Sequence, residues 1–176
     1  MKRLAALAVV PFSAVGIPAA MAAPSPVPDL SGYHSVEPKD YTTYYNYPTT
    51  NGAQFLTPGG YRCRITYTGR ANPPFKTAEC WGALPATAFN LVVVATSMSA
   101  NPAQFDNIDL AKMETYNGWE DPTKPLPISP DAYKPLPAGS KLTYPDSGTC
   151  AATATTTTCV LGDHGFVLDP SGSRTF

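Results

Sequence analysis

The four cysteines of this chain fall in two close pairs, Cys63 with Cys80 and Cys150 with Cys159. Nothing else in the sequence restricts the fold as much. Four cysteines permit three pairings, all of them open from sequence. The near-neighbour pairing is favoured because each pair brackets its own turn signal. The first encloses Thr68-Gly69-Arg70-Ala71-Asn72-Pro73-Pro74, the second the Thr-rich run Thr153 to Thr158. A bridge closing a loop of about 15 residues is worth about 3 kcal/mol in the chain-entropy model, a large share of the roughly 5–15 kcal/mol that holds a domain together. Zinc ligation is the competing use of cysteine. It asks for Cys-x2-4-Cys or paired histidines, and neither spacing occurs, so no metal site and no cofactor is expected.

Disulfides persist in oxidising compartments, and the start of the chain supplies a route to one. Met1-Lys2-Arg3 is followed by a largely apolar stretch from Leu4 to about Ala20, and Ala20-Met21-Ala22 precedes Ala23-Pro24. This matches a signal peptide over residues 1–22, cut after Ala22. The apolar run is shorter than the roughly 20 residues that cross a bilayer, contains Pro11 and Pro18, and has no counterpart downstream. No membrane span is expected after cleavage, and the location implied is secreted, extracellular or in a cell envelope. Cleavage would take the formal charge from −1 (12 basic, 13 acidic) to −3 (10 basic, 13 acidic), which argues against nucleic acid as a partner.

The 154 residues left after cleavage are one domain's worth, enough for a real core. Charged residues make up 14% of the chain against about a quarter in typical proteins, while the 20 prolines are more than twice their usual share of about 5%. Long charged helices are disfavoured; turns and strands are not. Tyr61, Cys63, Ile65 and Tyr67 alternate with Arg62, Arg64, Thr66 and Thr68 at a period of two, the best strand pattern in the sequence. Asn51-Gly52 reads as a hairpin turn and Thr57-Pro58-Gly59-Gly60 as a type II turn. Strands at about 43–49, 53–57 and 61–68 then form a meander, against which Phe75 to Trp81 returns. The nearly unbroken β-branched run within Phe89–Ser97 reads as a core strand covered on both faces.

Asn101-Pro102-Ala103-Gln104 resembles a helix start, which predicts one short helix between about 102 and 114. Six prolines between residues 121 and 139 deny that stretch helix and central-strand geometry and make it an extended connector. Asp169-Pro170-Ser171-Gly172 has the residues of a type I turn, which folds Ser173–Phe176 back as a final strand. The expected fold is mainly β: a small antiparallel sandwich or open barrel with two disulfides and at most one or two short helices. The expected organisation is a signal peptide (1–22), a flexible N-terminal tail (23–40) and a single β-rich domain (41–176) containing the Pro-rich connector 121–139.

The two cysteine pairs carry an internal echo. Phe55 stands eight residues before Cys63, as Leu142 does before Cys150; Pro58 and Pro145 each stand five before; Gly82 and Gly162 follow the second cysteine of each pair. Together, Phe55-x-Thr57-Pro58-x-Gly60-x-x-Cys63-x-Ile65, Cys80-x-Gly82-x-Leu84-Pro85, Gly148-Thr149-Cys150 to Thr158-Cys159, and His164-Gly165-Phe166-Val167-Leu168 resemble small secreted four-cysteine proteins of mycobacteria and related actinobacteria, mostly of unassigned function. The resemblance covers about two-thirds of the mature chain and leaves out the Tyr-rich segment 41–47 and the connector 121–139. It implies an envelope or culture-medium location, with no catalytic residues to carry over.

No catalytic, metal or phosphate-binding constellation stands out. His164, between Asp163 and Gly165, is the one plausible base for a hydrolytic triad, since His34 lies in the expected tail; no Gly-x-Ser-x-Gly elbow occurs. A histidine beside glycine in a turn more often sits in solvent. Asp106 with Asp109, and Glu120 with Asp121, are sequence neighbours, whereas glycosidase carboxylates face each other across a sugar. Asp106, Asn107 and Asp109 lack the rest of a calcium loop. Arg62 and Arg64, joined by Arg70, form either a solvated strand face or a patch for an anionic envelope polymer. Tyr41, Tyr44, Tyr45 and Tyr47 cluster within seven residues, and with Trp119 they mark the place to look for a binding face, suited to a glycan or a protein. The plainer reading is a sheet edge that tyrosines cover. The leading expectation is a non-catalytic binding protein; the alternatives are an extracellular hydrolase using His164 with carboxylates, and a protease-inhibitor-like module presenting the Pro-rich loop.

Overall fold

Alternation along Arg62–Thr68 points Cys63 and Ile65 to one side, and those two side chains mark where the core lies. The computed structural model describes residues 27–96 and 101–176; the predicted signal peptide (1–22) and residues 23–26 lie outside the described residues. Two sheets pack face to face. The first runs β3 (Thr50–Leu56), β4 (Arg62–Thr68), β5 (Phe75–Trp81), β6 (Leu91–Ala95) and β7 (Asn101–Asp106), an antiparallel meander. Its β3 edge is flanked at one end by β2 (Tyr44–Asn46), antiparallel, and at the other by β10 (Lys134–Pro135), parallel. The second runs β1 (His34–Ser35), β11 (Ser140–Thr143), β12 (Thr149–Ala152), β13 (Thr157–Leu161), β14 (His164–Leu168) and β15 (Arg174–Thr175), in that order. Phe55, Ile65, Ala78, Val92 and Val94 from the first sheet meet Leu142, Ala152, Phe166 and Leu168 from the second in one buried cluster that includes all four cysteines.

Both disulfides are near-neighbour bridges, Cys63–Cys80 and Cys150–Cys159. In each the two cysteines are direct cross-strand partners, β4 to β5 and β12 to β13. The sequence echo has a structural counterpart. Phe55 is the register partner of Cys63, and Leu142 that of Cys150. Strands β3–β5 and β11–β13 are thus two similar three-stranded units, each sending an apolar residue and a bridge into the shared core.

A third layer covers the outer face of the first sheet. It consists of α1 (Leu110–Met113) and the hairpin of β8 (Thr115–Asn117) with β9 (Pro125–Pro127). Met113 and Tyr133 bury against Trp81 and Leu91 there, with Leu56, Ile108, Leu110 and Ile128 packed around them. We call residues 107–133 the strap.

Several sequence expectations are corrected. Asn51-Gly52 is not a turn but part of β3, and the chain reverses at residues 47–49. Gly52 is required because a Cβ there would lie 2.7 Å from the Ile65 carbonyl oxygen on the neighbouring strand. The turn at 57–60 has its left-handed residue at Gly60 (φ +86°) rather than Gly59, so it is a type I turn closed by a glycine, with Gly60 N–H donating to the Thr57 carbonyl. Asn101-Pro102 does not begin a helix: 101–106 is a strand paired with β6, and the four-residue helix starts at Asp109, whose carboxylate accepts from Ala111 N–H. Pairing with a β-branched neighbour outweighed a weak capping signal. The described part of the expected flexible tail, 27–40, is tied down: β1 pairs with β11, and Lys141 Nζ donates to the Leu30 carbonyl at 2.9 Å.

Candidate functional site

Successive strand residues point to opposite faces, so adjacent tyrosines on β2 cannot share one surface. Tyr44 turns inward, its ring beneath the Arg64 guanidinium at 3.9 Å, and Tyr45 turns outward. Tyr41 belongs to the core, its hydroxyl donating to the Pro135 carbonyl. Tyr47 is exposed at the turn after β2. Of the five aromatics singled out from sequence, Tyr45 and Trp119 converge. They line a cleft of about 540 Å³ together with Tyr116, Gly118, Glu120, Asp121, Lys124 and Leu126.

The β8–β9 hairpin builds most of this cleft. Tyr116 and Leu126 are register partners, and the loop between the strands presents Trp119, 72% exposed. Pro125 and Pro127 flank Leu126, so β9 has a single N–H to give; a strand this poor in donors was not legible from sequence. The loop has internal structure: Asp121 Oδ1 accepts from the Thr123 amide (3.1 Å) and hydroxyl (2.6 Å), and Lys124 N–H donates to the Asp121 carbonyl. Those Thr123 bonds hold the Asp121 carboxyl below its usual range. The hairpin is fastened to β2 by Tyr47 N–H to the Asn117 carbonyl (2.9 Å) and Asn117 N–H to Asn46 Oδ1 (2.6 Å). That fastening brings Tyr45 beside Tyr116, residues 71 apart in the chain.

Beneath the strap lies a polar network that the sequence alternation did not reveal. Arg64, expected on a solvated face, is 4% exposed. Its Nε donates to Gln54 Oε1, Nη1 to Glu79 Oε1 and Nη2 to the Met113 carbonyl, at 3.0, 3.3 and 2.8 Å. Burial raises the Glu79 carboxyl above its ordinary value, against the pull of Arg64. Glu114 accepts from Trp81 Nε1 at 2.7 Å, Tyr133 hydroxyl at 2.9 Å and Arg62 at 2.7 Å. Partial burial pushes its carboxyl up, but those three donors outweigh it and leave it lowered. Burial raises the Tyr133 hydroxyl. Both arginines thus pair within the strap, Arg64 buried and Arg62 partly exposed on Glu114, so Arg64 belongs to neither the solvated face nor the anion-binding patch between which the sequence left the choice.

The remaining candidates are accounted for locally. His164 Nε2 lies 3.5 Å from the largely exposed Asp163, and neither lines the aromatic cleft. Asp106 Oδ1 accepts from the Asn107 amide, Asn107 Oδ1 from the Asn90 amide, and Asp109 caps α1. Among the described residues no group of three or more His, Cys, Asp or Glu side chains is placed to hold a metal ion. The Pro-rich connector is anchored, with Tyr133 and Leu136 buried and Leu136 N–H donating to the Leu56 carbonyl. Its first part forms one wall of the cleft through Asp121, Lys124 and Leu126. No protein-family model, curated protein or solved structure matches the chain. Among the described residues no helix is long and apolar enough to cross a membrane, and both disulfides are compatible with an oxidising compartment.

Proposed function

We propose that this is an exported, non-catalytic protein of the bacterial envelope or extracellular space that acts by binding, and that the cleft between β2 and the β8–β9 hairpin is its binding site. One observation carries the reading: four apolar or aromatic side chains from two separate segments, Tyr45, Tyr116, Trp119 and Leu126, converge on one concavity rimmed by charged groups. Exposed large aromatics are costly to leave in water and are enriched where proteins bind. Trp119 is the most exposed large hydrophobic residue described, and it sits on a loop whose turn is hydrogen-bonded into shape. The signal-like N-terminus, the paired cysteines and the resemblance to small secreted actinobacterial proteins support the compartment.

The test is retention of solubilised bacterial envelope material, with carbohydrate and protein quantified separately, on the immobilised oxidised chain and on a Tyr45→Ala/Trp119→Ala variant. The expected result is specific retention lost in the variant. Equal retention by both proteins overturns the cleft as the binding site.

A further inference from the structure

We propose that the cleft takes a neutral oligosaccharide, whose ring faces lie on Trp119 and the neighbouring tyrosines while its hydroxyls bond to Glu120, Asp121 and Lys124. This inference rests on the binding reading above and adds the chemical class of the ligand. The lining combines two chemistries. Trp119, Tyr45, Tyr116 and Leu126 supply flat or apolar surface, and the Tyr45 hydroxyl is occupied by the Pro48 carbonyl at 3.1 Å, which orients its ring. The rim supplies hydrogen-bonding groups of both kinds. No described residue hydrogen-bonds the Trp119 indole N–H, the Tyr116 hydroxyl, the Glu120 carboxylate, Asp121 Oδ2 or the Lys124 ammonium. As far as the described residues go, they can bond a ligand in place of water.

A pyranose ring matches this pattern, since its axial C–H bonds present an apolar face and its edge carries adjacent hydroxyls that both donate and accept. Two carboxylates against one ammonium disfavour an anionic polymer, because each acid would repel it. A polyproline segment also docks on aromatic grooves. Its prolines have no N–H, however, so Glu120 and Asp121 would lose water without gaining a donor, and an ionised group stripped of partners is strongly penalised. Vicinal sugar hydroxyls satisfy the same carboxylates directly.

The chain has two tryptophans, Trp81 and Trp119. The first is buried with its indole N–H on Glu114, the second exposed in the cleft, so their two indole N–H resonances separate the site from the fold. The experiment titrates the oxidised, 15N-labelled chain with cellohexaose, maltohexaose, mannohexaose and chitohexaose, and separately with decaproline and dextran sulfate. At least one hexasaccharide is expected to shift the Trp119 resonance saturably, with a Kd of about 1 mM or tighter, while Trp81 stays in place. Glu120→Gln/Asp121→Asn should weaken that binding about tenfold, as loss of charge-assisted hydrogen bonds does. Movement of Trp119 by decaproline or dextran sulfate but by no hexasaccharide overturns the glycan assignment and leaves the binding cleft standing. Silence with every probe also overturns the glycan assignment, and the envelope-retention comparison then decides independently whether the cleft binds anything. Unweakened sugar binding by the double carboxylate variant overturns the assigned roles of Glu120 and Asp121.

Discussion

The units β3–β5 and β11–β13 share a layout on their inner side and diverge on their outer side. Inside, each contributes an apolar residue register-paired with the first cysteine, and a cross-strand bridge. Outside, β3–β5 bears Gln54, Arg64, Thr66, Thr77 and Trp81, all buried beneath the strap or its neighbours, whereas β11–β13 buries only the small Ala151 and Thr158 and leaves Lys141, Thr143, Thr149 and Val160 half-buried or exposed. Aligned on their first cysteines, Arg64 corresponds to Ala151 and Arg62 to Thr149. One hairpin design can therefore serve as scaffold or as the base of a built layer. Which it becomes depends on whether the outer face carries groups that can capture another segment's backbone and carboxylates. Arg64 does this by holding the Met113 carbonyl, and Arg62 by holding Glu114. The aromatic cleft sits on the unit that has the strap.

The sharpest way to break this contrast is to remove the fastening. Arg64→Ala leaves Glu79 without its cation and the Met113 carbonyl without its donor inside a covered layer. It should cost about 3–5 kcal/mol, while Thr149→Ala on the unit without the strap should stay within about 0.5 kcal/mol. Urea midpoints of the two variants measure both, and similar losses would mean that the strap is not held by this network. Next in size are the bridges. In the chain-entropy model, removing Cys63–Cys80, with its separation of 17, should cost about 3 kcal/mol, and removing Cys150–Cys159, with its separation of 9, about 2.5 kcal/mol. Thermal unfolding of the two double-alanine variants tests that order, and a reversed order would show that the two units are not energetically alike.

A smaller effect is the pH dependence that the strapped unit carries through Glu114 and Glu79, groups with no counterpart in strands β11–β13, which contain no acidic residue. Just after β14 on the second sheet, Asp169, held down to about 2 by the Ser171 and Thr156 hydroxyls, titrates at lower pH. Glu114 has a lowered folded value, so the stability it contributes is complete above the ordinary glutamate value and is lost as pH falls through the folded one. Glu79 has a raised folded value, so the folded state holds its proton longer than the unfolded chain does, and stability declines as pH rises from the ordinary value through the raised one. Glu114→Gln should flatten the acid limb by less than about 1 kcal/mol, partial exposure screening it, and Glu79→Gln should remove the decline above it. Midpoint-versus-pH profiles that match the unmodified protein in both variants would contradict this. The smallest expected effect is Trp119→Ala, within about 0.5 kcal/mol because the ring lies mostly in solvent. A larger loss in its urea midpoint would make Trp119 structural and weaken the case for the cleft.

Much of the scaffold was legible in the chain. Alternation located β4, the β-branched run located β6, and Asp169-Pro170-Ser171-Gly172 located the last reversal, closed by Gly172 N–H to the Asp169 carbonyl. The turn signals inside each cysteine pair pointed to the observed bridges. The site was half legible. Composition marked Tyr45 and Trp119, but Tyr41 and Tyr44 carried the same signal and are used inside the fold. Tyr116, Leu126, Glu120, Asp121 and Lys124 joined the site through a hairpin whose second strand reads as a proline-rich connector. Arg64 reads as surface because a period of two separates two faces and does not say what covers the second.

Local terms are written in the chain: which residues extend, where glycine and proline reverse it, and which side of each cysteine strand faces the core. These follow from backbone sterics and from side-chain alternation, which act over a few residues. Long-range packing placed the strap on the first unit and not on the second, and with it buried an arginine, held a glutamate protonated to higher pH and brought two distant aromatics into one cleft. Those outcomes depend on pairings between residues tens of positions apart, such as Arg64 with Met113 and Asn46 with Asn117, whose energies are set by burial and hydrogen-bond geometry that exist only once the sheets have closed.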